Sequence, residues 1–317
     1  MDSKITLICS TDRNYVPYCG IMLTSAFETN KADIGQVFIL TTELDAKTRS
    51  AFEPLSERYG IPIHVYDVDR QMLSGIAIPE TNYLTLACYF RILAPVLLPR
   101  DIGKVLYLDC DMIVNGSLKP LWETDIEDVA YAAVLDEDTE KPFIYELLNY
   151  PAEYGYINSG AMLMNLDYWR EHDAVNRCLD YARKRDASQF HANDQDVISA
   201  VLCRERKTVD PSYNLLNGFI LTELFKAYSE PMKQAILQAV KHPVIVHFEG
   251  PAKPWRSYCR NPFTPWFQYY KSISLWKDLP PISPPTLKSL LRRAGYSVLR
   301  ALRLIEPTYI IPRVRMP

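Results

Sequence analysis

The sequence predicts an α/β protein whose mainly parallel, doubly wound sheet is covered by helices on both faces. Two patterns and the chain length lead to this fold class. Short apolar runs rich in β-branched residues recur along the chain, and segments with helical character lie between them. With 317 residues, of which 48% are hydrophobic and 23% charged, the chain is long enough to bury a large core.

The predicted elements alternate in the first half of the chain and continue, less regularly, in the second. In the first half, strands are expected over residues 4–10, 37–41, 63–66 and 104–108. The helices between them are expected over residues 15–29, 45–59 and 84–93. The second half adds strands over 131–135, 160–165 and 243–246 and helices over 167–185 and 194–203. We expect one large domain over 1–279, followed by a proline-rich linker and a small helical extension over 280–317.

Cysteine usage and hydropathy indicate where the protein works. The seven cysteines are odd in number and scattered, and no two form a C-x-x-C pair, so neither a disulfide framework nor a zinc knuckle is expected. Residues 1–15 carry no apolar run of signal-peptide length, and no uninterrupted apolar stretch is long enough to cross a membrane. We therefore expect a cytoplasmic protein with reduced thiols.

The C-terminal residues differ from the body in charge. Residues 284–317 carry seven basic residues and one acid, whereas the whole chain has a net charge of −3. An acidic body argues against nucleic acid as a partner and gives the basic segment a separate role. Within residues 286–306, these apolar side chains recur at helical spacing opposite basic ones: Leu287, Leu290, Leu291, Ala294, Val298, Leu302 and Ile305. The pattern predicts an interfacial helix on the anionic inner face of the cell membrane; the alternative is an amphipathic helix packed on its own domain.

Polar residues follow several of the predicted strands. In open α/β sheets, ligands bind beyond the carboxyl ends of the strands. Ser10 leads into the loop after the first strand, Asp109 and Asp111 follow the strand over 104–108, and His247 follows the last strand. We therefore expect these three sites, which are far apart in sequence, to converge on one crevice.

The two aspartates, separated by Cys110, lie between apolar runs that both have the character of buried strands. On an extended backbone, Asp109 and Asp111 point to the same face, and two negative charges so close together need a cation. Mg²⁺ and Mn²⁺ both take carboxylate oxygens, and a third ligand from His247 favours Mn²⁺ over Mg²⁺. The alternative is a solvated loop with ordinary caps and no metal.

Three further segments carry candidate functional groups. In residues 247–255, a histidine and Lys253 flank a Gly-Pro turn, which could bring an imidazole to the metal and an ammonium to a diphosphate. By themselves, Asn158 and Ser159 are typical of a turn before a strand, and Asp194 with its neighbours is typical of a helix cap. Neither of these last two segments indicates a function alone.

Together and in this order, these motifs resemble the bacterial retaining glycosyltransferases of family eight. That group includes lipopolysaccharide and lipo-oligosaccharide galactosyl- and glucosyltransferases and is related to glycogenin. The resemblance extends from about residue 5 to residue 255. It implies a GT-A fold, a UDP-sugar donor, a Mn²⁺ cofactor, and transfer of galactose or glucose to a hydroxyl group of a lipopolysaccharide, capsule or other glycan or glycolipid acceptor.

The resemblance also implies roles for residues that bind the donor. In the loop that begins with Ser10, it places Asp12 and Asn14 against the uridine and ribose. Arg91 matches a Tyr-x-Arg helix and would reach the donor sugar or the diphosphate. One departure is visible, because Arg13 stands where the lipo-oligosaccharide galactosyltransferase pattern has an acid, and this changes the charge of the donor loop.

The metal and diphosphate residues match the family as well. Asp109 and Asp111 match its D-x-D motif, in which Asp109 also contacts the donor, and His247 matches the third protein ligand to Mn²⁺. Gly250 and Lys253 match a Gly-Pro-x-Lys-Pro-Trp segment that folds over the diphosphate.

By the same resemblance, Asn158 and, more loosely, Ser159 lie near the donor sugar, and Asp194 and Gln195 lie beside the sugar that is transferred. The catalytic residues are then Gln195, Asp194 and Lys253. An amide is a poor nucleophile, so we expect the acceptor hydroxyl to attack from the front face, with no covalent intermediate on the protein.

Two other classes of protein remain as alternatives. A nucleotidyltransferase would use similar chemistry but release pyrophosphate, and a non-catalytic peripheral membrane protein could keep the fold to bind a UDP-sugar. A haloacid-dehalogenase phosphatase fits poorly, because its D-x-D is expected near the N-terminus and is followed by a small residue. The sequence leaves the choice of donor sugar, the acceptor and the oligomeric state open.

Overall fold

The computed structural model describes residues 4–42, 45–77, 86–282 and 306–317. Its strands are β1 Ile5–Thr11, β2 Ile34–Thr41, β3 Ile63–Asp67, β4 Lys104–Leu108, β5 Met112–Val114, β6 Tyr131–Leu135, β7 Ile157–Asn165, β8 Arg206–Thr208 and β9 Ile245–His247. Its α-helices are α1 Val16–Asn30, α2 Ala46–Arg49, α3 Glu53–Tyr59, α4 Phe90–Leu97, α5 Lys119–Trp122, α6 Pro142–Leu148, α7 Leu166–Glu171, α8 Ala174–Arg183, α9 Asp194–Val201, α10 Asn217–Ile220, α11 Thr222–Ala227, α12 Glu230–Ala239 and α13 Thr264–Ile273.

Seven strands form one sheet in the order β3-β2-β1-β4-β7-β6-β8. Strands β1 to β4 are parallel to one another and β8 is parallel to β6, whereas β7 is antiparallel to both of its neighbours. The prediction of a mainly parallel α/β sheet is therefore confirmed. Because β7 runs in reverse, its first residues lie at the edge where β4 and β6 end, with Ala161 opposite Leu108 and Ile157 opposite Leu135.

Helices cover both faces of this sheet because successive strand residues point to opposite sides. On one face, Leu7 of β1 belongs to a core that includes Phe27 of α1. On the other face, Ile8 belongs to a core that includes Ile92 of α4. Since the described residues fill both faces, the carboxyl edge of the sheet is where a ligand is expected.

A second sheet of two strands joins distant parts of the chain. Strand β5, the apolar run after Asp111 that has the character of a buried strand, pairs antiparallel with β9, and Met112 lies opposite His247. The strand expected over 243–246 lies at Ile245–His247 and outside the main sheet. His247 therefore does not follow a strand of the main sheet, as the sequence had indicated, but reaches the aspartates through the β5–β9 pairing.

Two predicted helices are interrupted for local reasons. The segment expected over 45–59 forms α2, a 3₁₀ turn Ser50–Phe52 and α3, and Pro54 in the first turn of α3 has no N–H with which to continue a helix. The segment expected over 167–185 forms α7 and α8, which are separated at Asp173 by a φ of 50°.

The C-terminal residues return to the body. Ile310 N–H donates to Ile220 O at 2.9 Å, and the Ile310 side chain packs on the neighbouring core. The predicted amphipathic helix over 286–306 lies, except for its last residue, outside the described ranges. None of the helices within those ranges is long and apolar enough to span a membrane.

Candidate active site

A cavity of about 430 Å³ opens at the edge of the main sheet where β1, β4 and β6 end and β7 begins. The predicted site residues that line it are Ser10, Asp12, Arg91, Asp109, Asp111, Asn158, Ser159, Asp194, Gln195, His247, Gly250 and Lys253. Asn14 is exposed and does not line the cavity; its N–H donates to Asp12 Oδ1 at 2.8 Å. The fold thus gathers residues that are far apart in sequence.

Asp109, Asp111 and His247 form a group that could hold a metal ion. Their ligand atoms lie within 4.8 Å of one another, and His247 Nε2 is 3.2 Å from Asp111 Oδ1 and 4.0 Å from Asp109 Oδ2. The other ring nitrogen lies 3.1 Å from Asn214 Oδ1, which fixes the ring and directs Nε2 at the carboxylates. Two carboxylates and an imidazole form a donor set that fits a divalent ion such as Mn²⁺.

The aspartates do not lie on the extended backbone that the sequence predicts. After β4 the chain turns over Cys110 and Asp111 before β5 begins. The turn directs Cys110 Sγ at Ser10 O, 3.1 Å away, while both carboxylates remain in the cavity. Burial alone would raise the pKa of Asp111, but Lys253 and His247 hold this pKa well below its usual range, so the carboxylate stays charged.

Arg91 connects two acidic groups across the cavity. Its guanidinium pairs with Asp109 at 2.8 Å and with Asp194 at 2.9 Å, and it lies 4.1 Å from the centre of the Tyr107 ring. The Arg91 side chain is only 4% exposed; burial would lower its pKa, but the two carboxylates raise it. Arg91 is therefore a fixed cation that orients both acids.

Asp136 holds two amides in place at the end of β6. Its Oδ2 accepts hydrogen bonds from Asn158 at 2.9 Å and from Gln195 at 3.1 Å. Gln195 Oε1 accepts a further one from Ser159 N–H at 3.1 Å, so both ends of the Gln195 amide are fixed. Burial raises the pKa of Asp136 to about 6, a shift that the hydrogen bond from Asn158 opposes.

Asp194 and Gln195 begin α9, and the helix-cap alternative does not explain them. Asn193 occupies the cap position, makes no capping hydrogen bond and has a φ of 50° and a ψ of −110°, which is strained for a residue with a side chain. Asp196 holds this turn, because its Oδ2 accepts from two backbone N–H groups at 2.6 and 2.8 Å. Burial raises the pKa of Asp194 to about 6, although Arg91 opposes the shift.

The segment after β9 folds over Asp109, Asp111 and His247, the three candidate metal ligands. Lys253 Nζ forms an ion pair with Asp111. Gly250 has a φ of 76°, which a residue with a side chain rarely adopts, and this turn brings Lys253 back over the cavity. Trp255 stacks on Tyr18 of α1 with ring centres 3.6 Å apart, and this contact holds the segment that follows β9 against α1.

Several polar residues of the cavity were not predicted from the sequence: Tyr15, Asp136, Glu137, Asp138, His191 and Glu249. Asp136, Glu137 and Asp138 directly follow the apolar run of β6. The strand-end rule that identified Asp109 would have found these three acids as well. No local signal marks His191, whose Nε2 lies 2.8 Å from Asp138 Oδ2, because this contact depends on the tertiary fold.

The mainly parallel sheet, with a carboxylate–imidazole group at its carboxyl edge, has the GT-A fold. The chain belongs to glycosyl transferase family 8, whose sequence profile matches residues 6–259.

Similar proteins come from several bacteria. The chain is 26% identical over 282 residues to General stress protein A of Bacillus subtilis, a match that covers 88% of this chain and 96% of that protein. It is 26% identical over 292 residues to the lipopolysaccharide 1,3-galactosyltransferase of Salmonella typhimurium, covering 90% and 83% of the two chains. The crystal structure of the galactosyltransferase LgtC in complex with donor and acceptor sugar analogues matches with a TM-score of 0.77 at 22% identity, over 86% of this chain and 96% of that one.

Proposed function

We propose that this protein is a retaining glycosyltransferase that moves a hexose, galactose or glucose, from a UDP-sugar to a hydroxyl group of a lipopolysaccharide, capsule or other glycan acceptor. The observation that carries the proposal is the convergence of Asp109, Asp111 and His247, with ligand atoms within 4.8 Å, beside Lys253. Family membership and the similarity to a lipopolysaccharide galactosyltransferase support the substrate class.

The strand order suggests how the donor lies in the cavity. Neighbouring strands are about 4.8 Å apart, so the ends of β1, β4, β7 and β6 form a row of about 14 Å. We place the nucleoside on the loop after β1, against Ser10 and Asp12; Asn14 belongs to the same loop, outside the cavity lining, and would contact only the exposed side of the ribose. The diphosphate then lies at the metal group after β4, and the sugar lies at Asn158 and Ser159, where β7 begins.

Asp109, Asp111 and His247 would hold Mn²⁺, which when bound neutralises the diphosphate and the charge that develops on the leaving UDP. Lys253 would add a fixed positive charge to the same leaving group, and the missing side chain at Gly250 lets its segment approach the phosphates. Lys253 pairs with Asp111, and the diphosphate of the donor would be a second anionic partner for its ammonium group.

The acceptor hydroxyl would attack on the face from which UDP leaves, and a UDP phosphate oxygen would take its proton. Beside the transferred sugar stands Gln195, a poor nucleophile whose amide is already hydrogen-bonded at both ends. The Asp194 carboxylate pairs with Arg91 at 2.9 Å and would bind sugar hydroxyls and offset developing positive charge. A covalent sugar adduct on Asp194 or Gln195, detected by mass spectrometry, would exclude this route.

We further propose that the protein works on the cytoplasmic face of the cell membrane, where a lipid-linked acceptor would lie. The basic residues of the extension over 280–317 support this location, because they would attract anionic lipid headgroups.

The proposed activity is tested by measuring UDP release from UDP-galactose, UDP-glucose and their N-acetyl forms, each with and without Mn²⁺. We expect release with at least one hexose donor, dependent on Mn²⁺ and lost in EDTA. Release of the sugar 1-phosphate in place of UDP, or of pyrophosphate when UTP and a sugar 1-phosphate are supplied, would identify a nucleotidyltransferase. Donor binding without turnover would identify a non-catalytic UDP-sugar-binding protein.

A further inference from the structure

A chain of buried hydrogen bonds connects the candidate metal ligand His247 to the residues proposed to lie beside the transferred sugar. Asn214 Oδ1 lies 3.1 Å from His247 Nδ1, and Asn214 Nδ2 donates to Asn158 Oδ1 at 2.7 Å. Asn158 Nδ2 donates in turn to Asp136 Oδ2 at 2.9 Å, and Gln195 Nε2 donates to the same oxygen at 3.1 Å. The metal end and the sugar end of the proposed site are thus joined through two asparagine side chains.

The direction of each amide in this chain is fixed. The ionised carboxylate of Asp136 only accepts hydrogen bonds, so the nitrogen of Asn158 faces it, and Gly160 N–H donates to the oxygen of Asn158 at 3.0 Å. Asn214 must therefore present its nitrogen to Asn158 and its oxygen to His247. Since that oxygen can only accept, the hydrogen of a neutral His247 ring is on Nδ1, and Nε2 keeps the lone pair that a metal ligand needs.

The local fold places Asn214 beside His247. Asn214 ends a 3₁₀ turn, Pro211–Asn214, and the next residue, Leu215, forms a parallel bridge with β9. His247 N–H donates to Leu215 O at 3.0 Å, so the backbone holds the two side chains at neighbouring positions. Asn214 is fully buried and does not line the cavity, and it can therefore act on a bound donor only through His247 and Asn158.

The partners of Asn214 distinguish it from an asparagine that only supports the fold. Most hydrogen bonds of polar side chains go to backbone groups or water. Asn30 is an example, because its Oδ1 accepts from Leu118 N–H at 2.7 Å and its Nδ2 donates to Gly116 O at 3.0 Å. Both partners of Asn214 are instead side chains that line the cavity.

We propose that Asn214 is a positioning residue for both ends of the site, which holds His247 in the form that binds Mn²⁺ and Asn158 in the direction that receives the donor sugar. The inference rests on the proposed function. At the metal end, a hydrogen-bond acceptor behind a histidine ligand fixes its tautomer and raises its basicity. At the sugar end, an amide nitrogen can donate two hydrogen bonds, and Asp136 takes one, so within the described residues the second N–H of Asn158 is available to a sugar hydroxyl.

Two variants separate these two roles. Asn214→Leu removes both hydrogen bonds, whereas Asn214→Asp keeps an oxygen that faces His247 but cannot donate to Asn158. The metal end is measured as the affinity for Mn²⁺ alone, by electron paramagnetic resonance of the free ion. The sugar end is measured by calorimetry in saturating Mn²⁺, as the affinity for UDP-galactose or UDP-glucose divided by the affinity for UDP.

We expect Asn214→Leu to weaken Mn²⁺ binding about 10- to 100-fold, as the loss of a partner behind a metal-bound histidine does. Asn214→Asp should bind Mn²⁺ at least as tightly as the wild-type protein. Its affinity ratio should nevertheless fall about tenfold, because a carboxylate oxygen then faces the Asn158 oxygen without a hydrogen between them. Asn30→Leu is the matched control: Asn30 is also buried and bonded at both ends but lies outside the cavity lining, so this variant should melt at a lower temperature and leave both affinities unchanged.

Wild-type Mn²⁺ affinity in Asn214→Leu, or an equal loss of Mn²⁺ binding in both Asn214 variants, would overturn the inference. If Asn214→Leu shows no cooperative thermal transition, Asn214→Asp decides alone, and either weakened Mn²⁺ binding or an unchanged affinity ratio would overturn it. Because every readout is a binding measurement, the test stays valid if the donor panel shows no turnover. That result would count against the proposed function and not against the role of Asn214.

Discussion

Replacing Gly160 by alanine tests whether activity depends on the positions of Asp109 and His247, two of the candidate metal ligands. Gly160 lies on β7 directly behind them, and a Cβ there would be 2.5 Å from His247 Cε1 and 2.9 Å from Asp109 Oδ2. Favourable carbon contacts are about 3.5–4.0 Å long, so the imidazole and the carboxylate must each move by roughly 1 Å. A displacement of about 1 Å can cost about 100-fold in rate, whereas overpacking costs the fold only about 1–3 kcal/mol.

The assay is UDP release across a range of Mn²⁺ concentrations, together with thermal unfolding. We expect Gly160→Ala to stay folded, to require more Mn²⁺ and to turn over about 100-fold more slowly. Gly35→Ala is the matched control, because its Cβ would lie 2.6 Å from Lys4 Cβ, outside the cavity lining. It should lose some stability without a change in the Mn²⁺ requirement. Wild-type turnover and Mn²⁺ requirement in Gly160→Ala would refute the reasoning.

Asp111→Asn should abolish UDP release and leave a cooperative thermal transition, because an amide cannot supply the charged ligand oxygen; near-normal turnover in EDTA would contradict the metal assignment. Burial raises the pKa of Asp194 from 3.8 to about 6, so kcat/KM should fall as the pH drops below about 6, and this limb should be missing from the residual activity of Asp194→Asn. The folded protein holds the Asp194 proton more tightly than the unfolded chain, so this group should also lower the free energy of unfolding as the pH rises from 3.8 to about 6, measured by denaturant titration. Replacing the basic residues of the extension by glutamine should release the protein from anionic liposomes and preserve UDP-sugar hydrolysis, since each basic residue near the surface contributes about 1 kcal/mol; unchanged co-sedimentation would count against membrane binding. The residues to replace are Lys288, Arg292, Arg293, Arg300 and Arg303.

Features that depend on local chemistry were predictable from the sequence. The apolar run of β4 is followed directly by Asp109 and Asp111. The sequence therefore predicts both the strand and the acidic side chains at its carboxyl end, and the run of β1 leads in the same way into its polar loop. Asp136 obeys the same rule at the end of β6 and could have been found by applying it again. Lys253 was predictable because the Gly-Pro turn before it forces the chain to reverse.

Features that depend on tertiary pairing were not predictable in this way. The apolar pattern of β7 is the same in either direction, so its reversal, which brings Asn158 to the active edge, has no local signal. The strand character of β5 is visible in its apolar run, but its pairing with β9, about 130 residues later in the chain, is not. Glu137 and Glu249 likewise both lie against Gly218, which belongs to a third segment of the chain.

The ion pair between Lys253 and Asp111 joins positions 142 residues apart, and this separation determines when the site can form. Closing such a long stretch of chain has an entropic cost that must be overcome before the contact contributes stability. The parallel strands β1, β2 and β3 pair over shorter separations and can be ordered earlier. Because a chain emerges from the ribosome with its N-terminal part first, most of the sheet can form before His247 and Lys253 have been synthesised. The proposed metal site can therefore be completed only late in the biogenesis of this protein, and a nascent chain that stops short of these residues has most of the sheet but lacks His247 and Lys253.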